Sequence, residues 1–151
     1  MNNLQSYILK AEEFFLKKNY REALDVLQEV LAKEPENPEA LNDIALVYAE
    51  MGNLEKAVEC LELALKNNPS FEKAFFNLLD ILINHGHLDL AAEVYLKYKA
   101  YINNSLEKEQ YEKDLSYVIY EILKIRLKTG GILDLGNPKS DGQAVKLAFV
   151  C

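Results

Sequence analysis

Asn53-Leu54-Glu55-Lys56-Ala57 stands 34 residues after Asn19-Tyr20-Arg21-Glu22-Ala23 and 34 residues before His87-Leu88-Asp89-Leu90-Ala91. Larger apolar residues return in step, as Leu27, Leu61 and Tyr95. A fixed period of this length means that one small supersecondary unit is repeated. Such a unit does not bury its own apolar face, so neighbours supply the missing surface and the array grows in one dimension.

The second unit shows what is repeated. Leu41, Ile44, Ala45, Tyr48 and Met51 fall at helical spacing, Gly52-Asn53 supplies a turn, and Leu54, Ala57, Val58, Leu61, Ala64 and Leu65 mark a second helical stripe. Asn67-Asn68-Pro69 ends that stripe, because proline lacks the N–H a helix needs and biases its predecessor toward extended backbone. The first unit closes the same way at Glu34-Pro35. The spacing predicts two antiparallel helices of about three to four turns in each unit. The small residues Ala11, Ala23, Ala45, Ala57 and Ala91 are placed where two helices approach closely.

Leu41, Ile44, Ala45, Tyr48, Ala57, Leu61, Ala64 and Pro69 form a series of bulky, small, aromatic and closing-proline positions. The first unit gives Tyr7, Lys10, Ala11, Phe14, Ala23, Leu27, Val30 and Pro35, with Lys10 a departure. The third gives Phe75, Leu78, Leu79, Leu82, Ala91, Tyr95 and Tyr98, with Asn103 in place of the proline, so its second helix is expected to run past the usual end. This series resembles the tetratricopeptide repeat. The resemblance implies an all-α fold, a right-handed superhelix of antiparallel helical hairpins with repeats at about 4–37, 38–71 and 72–104.

Asn104-Ser105-Leu106-Glu107 reads as a helix start, an Asn cap with Glu three residues on. Tyr111, Leu115, Val118, Ile122 and Ile125 continue at helical spacing until Gly130-Gly131. This helix, about 105–128, is expected to cover the last apolar face of the stack and to complete a domain over 1–128. Residues 129–151 read as a linker and tail, in which Ala144-Val145-Lys146-Leu147-Ala148-Phe149-Val150 is a lone strand-like segment. A strand needs a partner, so it either pairs with another chain or opens a following domain, and the second is the preferred reading. It resembles, over a few residues, the first strand of nucleotide-sugar-dependent or methyl-donor-dependent α/β domains. Ile132-Leu133-Asp134-Leu135-Gly136 echoes a methyl-donor motif, but Asn137-Pro138 follows where a Gly-rich turn belongs.

Composition bounds the function. With 151 residues, 50% apolar and 27% charged, the chain has the make-up of an ordinary soluble domain. Cys60 and Cys151 lie far apart and form neither a disulfide framework nor a metal-ligand spacing. The first residues lack a basic stretch followed by an apolar run, and no apolar segment approaches the roughly 20 residues that span a bilayer. A cytoplasmic protein with no membrane contact is expected. The net charge of −7 argues against nucleic acid as a partner, since phosphate binding needs clustered Lys and Arg. The excess is local: residues 35–68 carry Glu36, Glu39, Asp43, Glu50, Glu55, Glu59 and Glu62 against Lys56 and Lys66. That acidity steers a basic partner toward the second unit.

In the tetratricopeptide family the first helix of each hairpin lines the concave face. The resemblance therefore implies contact positions at Gln5, Ile8, Glu12 and Phe15, at Glu39, Asn42, Leu46 and Ala49, and at Lys73, Phe76, Asp80 and Ile83. This mixture suits a basic or amphipathic peptide, with Phe15, Leu46 and Phe76 as anchors and Glu12, Glu39 and Asp80 as charge partners. The plainer reading makes the acids a solvated helix face and the apolar residues core. One family mode clamps a partner's terminal carboxylate with Lys, Asn and Arg. Here Ile8 and Glu12 replace its Lys and Asn, Asp43 replaces another Asn, and Lys73 matches, so chaperone tails are not the expected partner.

Nothing in the chain points to catalysis or to a cofactor. There is no histidine beside a Ser or Cys nucleophile, no phosphate-cradling loop and no paired carboxylates in a pocket pattern. His85-Gly86-His87 falls in the turn of the third unit, where a solvated turn is the simpler reading than a metal site. The sequence thus predicts a non-catalytic scaffold that binds a protein or peptide. Two alternatives stand beside it: a substrate-recognition domain of a larger glycosyltransferase or methyltransferase, and an array that self-associates.

Overall fold

The computed structural model describes residues 3–129, 132–134 and 146–148. Seven α-helices fill most of that span: α1 Asn3–Leu16, α2 Tyr20–Lys33, α3 Pro38–Glu50, α4 Leu54–Asn67, α5 Glu72–Asn84, α6 Leu88–Tyr98 and α7 Ser105–Lys128. A 3₁₀ turn, Lys99–Tyr101, follows α6. The chain divides into two compact units, Met1–Ala74 and Phe75–Cys151.

The turns explain the hairpins. Asn19, Asn53 and His87 donate their backbone N–H to Phe14, Tyr48 and Leu82, at 2.9, 2.8 and 2.8 Å. Lys18, Gly52 and Gly86 donate to Phe15, Ala49 and Ile83. This paired closure needs a left-handed residue after the helix, which Gly52 and Gly86 supply at φ +80° and +78°. In the first unit the same place is held by Lys18 at φ +61°, a conformation that a side chain disfavours. Helix starts are fixed by asparagines: Asn37 accepts from Ala40 N–H at 2.9 Å and Asn53 from Lys56 N–H at 3.2 Å, with Pro38 at the first turn of α3. Asn104 accepts from Glu107 N–H at 3.2 Å while its amide donates back to the Glu107 carboxylate at 2.9 Å.

In the N-terminal unit the core is the cluster of Ile8, Ala11, Ala23, Leu27, Val30, Ala40, Ile44 and Val47. Ala11 and Ala23 are buried there, which lets α1 and α2 close on each other without a gap. In the C-terminal unit Phe75 and Tyr95 are buried, with ring centroids 6.2 Å apart, and Leu115 is the one buried residue of α7 among those described. The Tyr95 hydroxyl donates to Glu112 at 3.0 Å, tying α6 to α7, and burial together with that carboxylate raises its pKa. Arg126 on α7 reaches both oxygens of Glu93 on α6 at 2.5 Å.

Two expectations change. The second helix of the third unit does not run on: α6 ends at Tyr98, and its 3₁₀ extension stops at Tyr101, in register with Lys33 and Asn67. Ile102 turns to extended backbone at φ −102° and ψ 125° and is buried, so packing rather than proline stops this helix. Nor is the tail segment alone. Lys146–Ala148 forms β2 and pairs antiparallel with β1, Ile132–Asp134, in the register Ile132 to Ala148, Leu133 to Leu147 and Asp134 to Lys146. Pairing gives both backbones hydrogen-bond partners that a single strand lacks. The Gly-rich stretch around Gly136 to Gly142 lies outside the described residues.

Candidate functional site: an acidic socket between α1 and α3

Helices α1 and α3 pack side by side in the N-terminal unit, with α2 beneath them. Their neighbouring faces leave a cavity of about 130 Å³. Ala11, Glu12 and Phe15 line it from α1, Asp43, Leu46 and Val47 from α3, and Leu27 from α2. Ala11, Leu27 and Val47 are buried, Phe15, Asp43 and Leu46 are half-buried, and Glu12 is exposed. The space is well below the roughly 300–1,000 Å³ of small-molecule sites, so it fits a single side chain rather than a cofactor.

Asp43 is its chemically distinctive wall. One carboxylate oxygen, Oδ1, accepts from the Asn42 amide at 3.2 Å. The other, Oδ2, is buried and has no hydrogen-bond partner. Burial pushes the carboxyl up to about 6, against the Asn42 hydrogen bond; Glu12 and Glu39 push the same way and Lys73 opposes them. A buried, unsatisfied acceptor is uncommon and calls for an account.

The expected contact residues separate into groups. Glu12, Phe15 and Leu46 meet around the cavity. Glu39 and Lys73 face each other at 3.9 Å, an exposed ion pair of little energetic weight. Ile8 and Asn42 are each 3% exposed, so both stand behind the surface, not on it; Ile8 belongs to the core cluster. In the C-terminal unit Phe76 is 8% exposed, because Tyr111 of α7 stacks on it with ring centroids 5.5 Å apart and 21° between planes. The Tyr111 hydroxyl donates to Asp80 at 2.6 Å, while Ile83 is half-buried. Phe76 and Asp80 are thus already engaged by α7.

Sequence reasoning set Asp43 aside as a mismatch and counted Tyr111 only as part of a helical stripe. The period itself carried the missing signal. Tyr111 lies two periods after Asp43, as Asp80 does after Glu12 and Phe76 after Ile8. His85 is accounted for locally, its Nδ1 lying 2.8 Å from the Ile81 carbonyl at the end of α5. Cys60 is half-buried, and burial pushes its thiol pKa up, away from the reactive range. Among the described residues no three His, Cys, Asp or Glu side chains are grouped as a metal shell requires.

Residues 14–80 match the family model described as Tetratricopeptide repeat. Over these residues the chain carries tetratricopeptide repeats. The chain is 35% identical over 103 residues to the Hsp70-Hsp90 organising protein of Plasmodium falciparum (isolate 3D7), a match covering 64% of the chain and 18% of that protein. It is 30% identical over 90 residues to the BBSome complex member BBS4 of Bos taurus, covering 60% of the chain and 17% of the relative. It therefore spans less than a fifth of the length of these curated relatives. Among solved structures it resembles the Sgt2 TPR domain from Aspergillus fumigatus, with TM-score 0.62, 22% identity and 83% of each chain covered. It also resembles the first TPR of Spaghetti (RPAP3) bound to the HSP90 peptide SRMEEVD, with TM-score 0.63, 20% identity, 80% of this chain and 95% of that one covered. At these identities the likeness speaks to the fold: apart from β1 and β2, an all-α tetratricopeptide solenoid of antiparallel hairpins. In the described residues no helix is long and apolar enough to cross a membrane.

Proposed function

We propose that this protein is a non-catalytic cytoplasmic scaffold that binds a basic or amphipathic protein segment on the α1–α3 face of its N-terminal unit. The observation that carries this reading is the union of apolar and acidic walls around one cavity, Phe15 and Leu46 beside Glu12 and Asp43. Apolar walls supply binding energy, and the acids select the charge of what enters. A similar fold, the first TPR of RPAP3, holds the peptide SRMEEVD, which supports a peptide as the class of ligand. That peptide ends in Glu-Glu-Val-Asp, and a segment of such charge is repelled by Glu12, Asp43 and Glu39.

The test is fluorescence anisotropy of peptides labelled at their N-termini, the basic peptide amidated and SRMEEVD keeping its terminal carboxylate, titrated with the full chain. A Lys- and Leu-rich amphipathic peptide is expected to bind, more weakly as salt rises, while SRMEEVD does not. Glu12→Lys should weaken the basic peptide by roughly tenfold, the scale of one charge-assisted contact. Tighter binding of SRMEEVD than of the basic peptide would overturn the reading.

A further inference from the structure

The two ends of the described array treat one niche differently. In the C-terminal unit the position two periods after Asp43 is Tyr111, whose ring covers Phe76 and whose hydroxyl reaches Asp80 at 2.6 Å. The niche is filled by the chain's own side chain. In the N-terminal unit the same three places hold Asp43, Ile8 and Glu12, and there the shorter Asp43 leaves the cavity of about 130 Å³ with one buried oxygen unpartnered. An aromatic ring with a donor at its tip satisfies the acid in one case. In the other, Asp43 Oδ2 meets no donor among the described residues.

Resting on the groove reading above, we propose that this cavity is a socket for one lysine side chain of the bound segment, its ammonium donating to the Asp43 carboxylate, whose unpartnered Oδ2 turns out of its buried position to accept it, and its methylene stem lying along Phe15 and Leu46. A tetramethylene stem with a cationic tip mirrors what Tyr111 provides at the other niche, an apolar body ending in a donor. The choice of lysine over arginine follows from the acceptor geometry. Arginine gains most from a bidentate grip on both carboxylate oxygens, but Oδ1 is already taken by the Asn42 amide at 3.2 Å. One free oxygen suits a point-like ammonium. Glu12, exposed at the mouth, adds attraction, and Glu39 is drawn to Lys73 at 3.9 Å. The charged and titratable groups around Asp43 are Glu12 on α1, Glu39 on α3 and Lys73 on α5, so the field at the socket is net acidic.

The experiment uses octapeptides of alanine and leucine, acetylated and amidated at their ends, with Lys, Arg, norleucine or acetyl-lysine at the centre. Each is titrated into the full chain by calorimetry, with wild type and Asp43→Asn. Wild type should bind the Lys peptide roughly tenfold more tightly than the norleucine or acetyl-lysine peptide, as one charge-assisted bond implies, and at least as tightly as the Arg peptide. In Asp43→Asn the norleucine affinity should persist while the Lys advantage falls below about twofold, and in wild type the advantage should shrink at about pH 5, where Asp43 takes up its proton. A melting curve of Asp43→Asn no lower than wild type shows that the fold is intact. Equal binding of Lys and norleucine peptides by wild type would overturn the socket but leave the groove reading standing. A Lys advantage that survives Asp43→Asn would also overturn it, placing the recognition on another acid. Failure of every peptide to bind would overturn both readings.

Discussion

Asp43→Asn should make the protein more stable at neutral pH, because it keeps the shape of a side chain beside the cavity and removes its charge. The carboxyl sits at about 6 in the fold against an ordinary value of 3.8, a rise of about two units. At roughly 1.4 kcal/mol per unit, holding Asp43 ionised in the folded state costs roughly 3 kcal/mol once the pH is above both values. The sign follows from proton uptake. Below about 3.8 the group is protonated folded and unfolded, and stability is full; it is lost as pH rises from about 3.8 through about 6, where the unfolded chain ionises first. Asparagine keeps the size without the charge, but one amide atom is left in the place of Oδ2 and gives back roughly 1 kcal/mol. The net gain is roughly 1–2 kcal/mol at about pH 7.5, or about 2–8 °C in Tm for a chain of this length. Urea unfolding followed by far-UV circular dichroism, at about pH 7.5 and about pH 4, measures it directly. A variant less stable than wild type at the higher pH, or a difference that does not narrow at the lower, would refute the reasoning.

Three further substitutions test the frame around the site. Lys18→Gly should raise stability by roughly 0.5–1 kcal/mol, because glycine removes the left-handed strain at φ +61° in a turn that elsewhere uses Gly52 and Gly86; an unchanged or lower urea midpoint would show the strain is not there. Ala57, fully buried on α4, leaves no room for a larger side chain, so Ala57→Leu should lower stability by roughly 1–3 kcal/mol, and a Tm within error of wild type would refute its placement. Tyr111→Phe keeps the stack on Phe76 but loses the bond to Asp80, for a loss of roughly 0.5–1.5 kcal/mol; equal chemical denaturation of the two proteins would mean that the hydroxyl bond is not formed in solution.

How much of this was legible depended on whether a residue acts through the repeat or against it. The hairpins were readable because Ala23, Ala57 and Ala91 recur at one spacing and each is fully buried where two helices meet. The end of α6 was not, since it is set by the burial of Ile102, a tertiary fact with no proline to announce it. At the cavity, Glu12, Phe15 and Leu46 were reached through the resemblance to the tetratricopeptide repeat, which assigns the first helix of each hairpin to the concave face. Ile8 and Asn42 share that face by spacing but sink into the core, because neighbouring helices close over them. Asp43 and Tyr111 escaped notice for a different reason. Their roles appear only when the volume of one residue is compared with that of its counterpart two periods away, and the empty volume beside an aspartate is a property of packing that no local pattern encodes.

The central claim is that the α1–α3 face of the N-terminal unit is where a basic segment lies. Backbone amide NMR of the full chain, recorded as the Lys- and Leu-rich peptide is added, locates that contact residue by residue. Shifts concentrated at Glu12, Phe15, Asp43 and Leu46, with α2 and α4 unmoved on their outer faces, are the predicted result. Shifts confined to the exposed faces of α2 and α4, with those four residues silent at saturation, would contradict it.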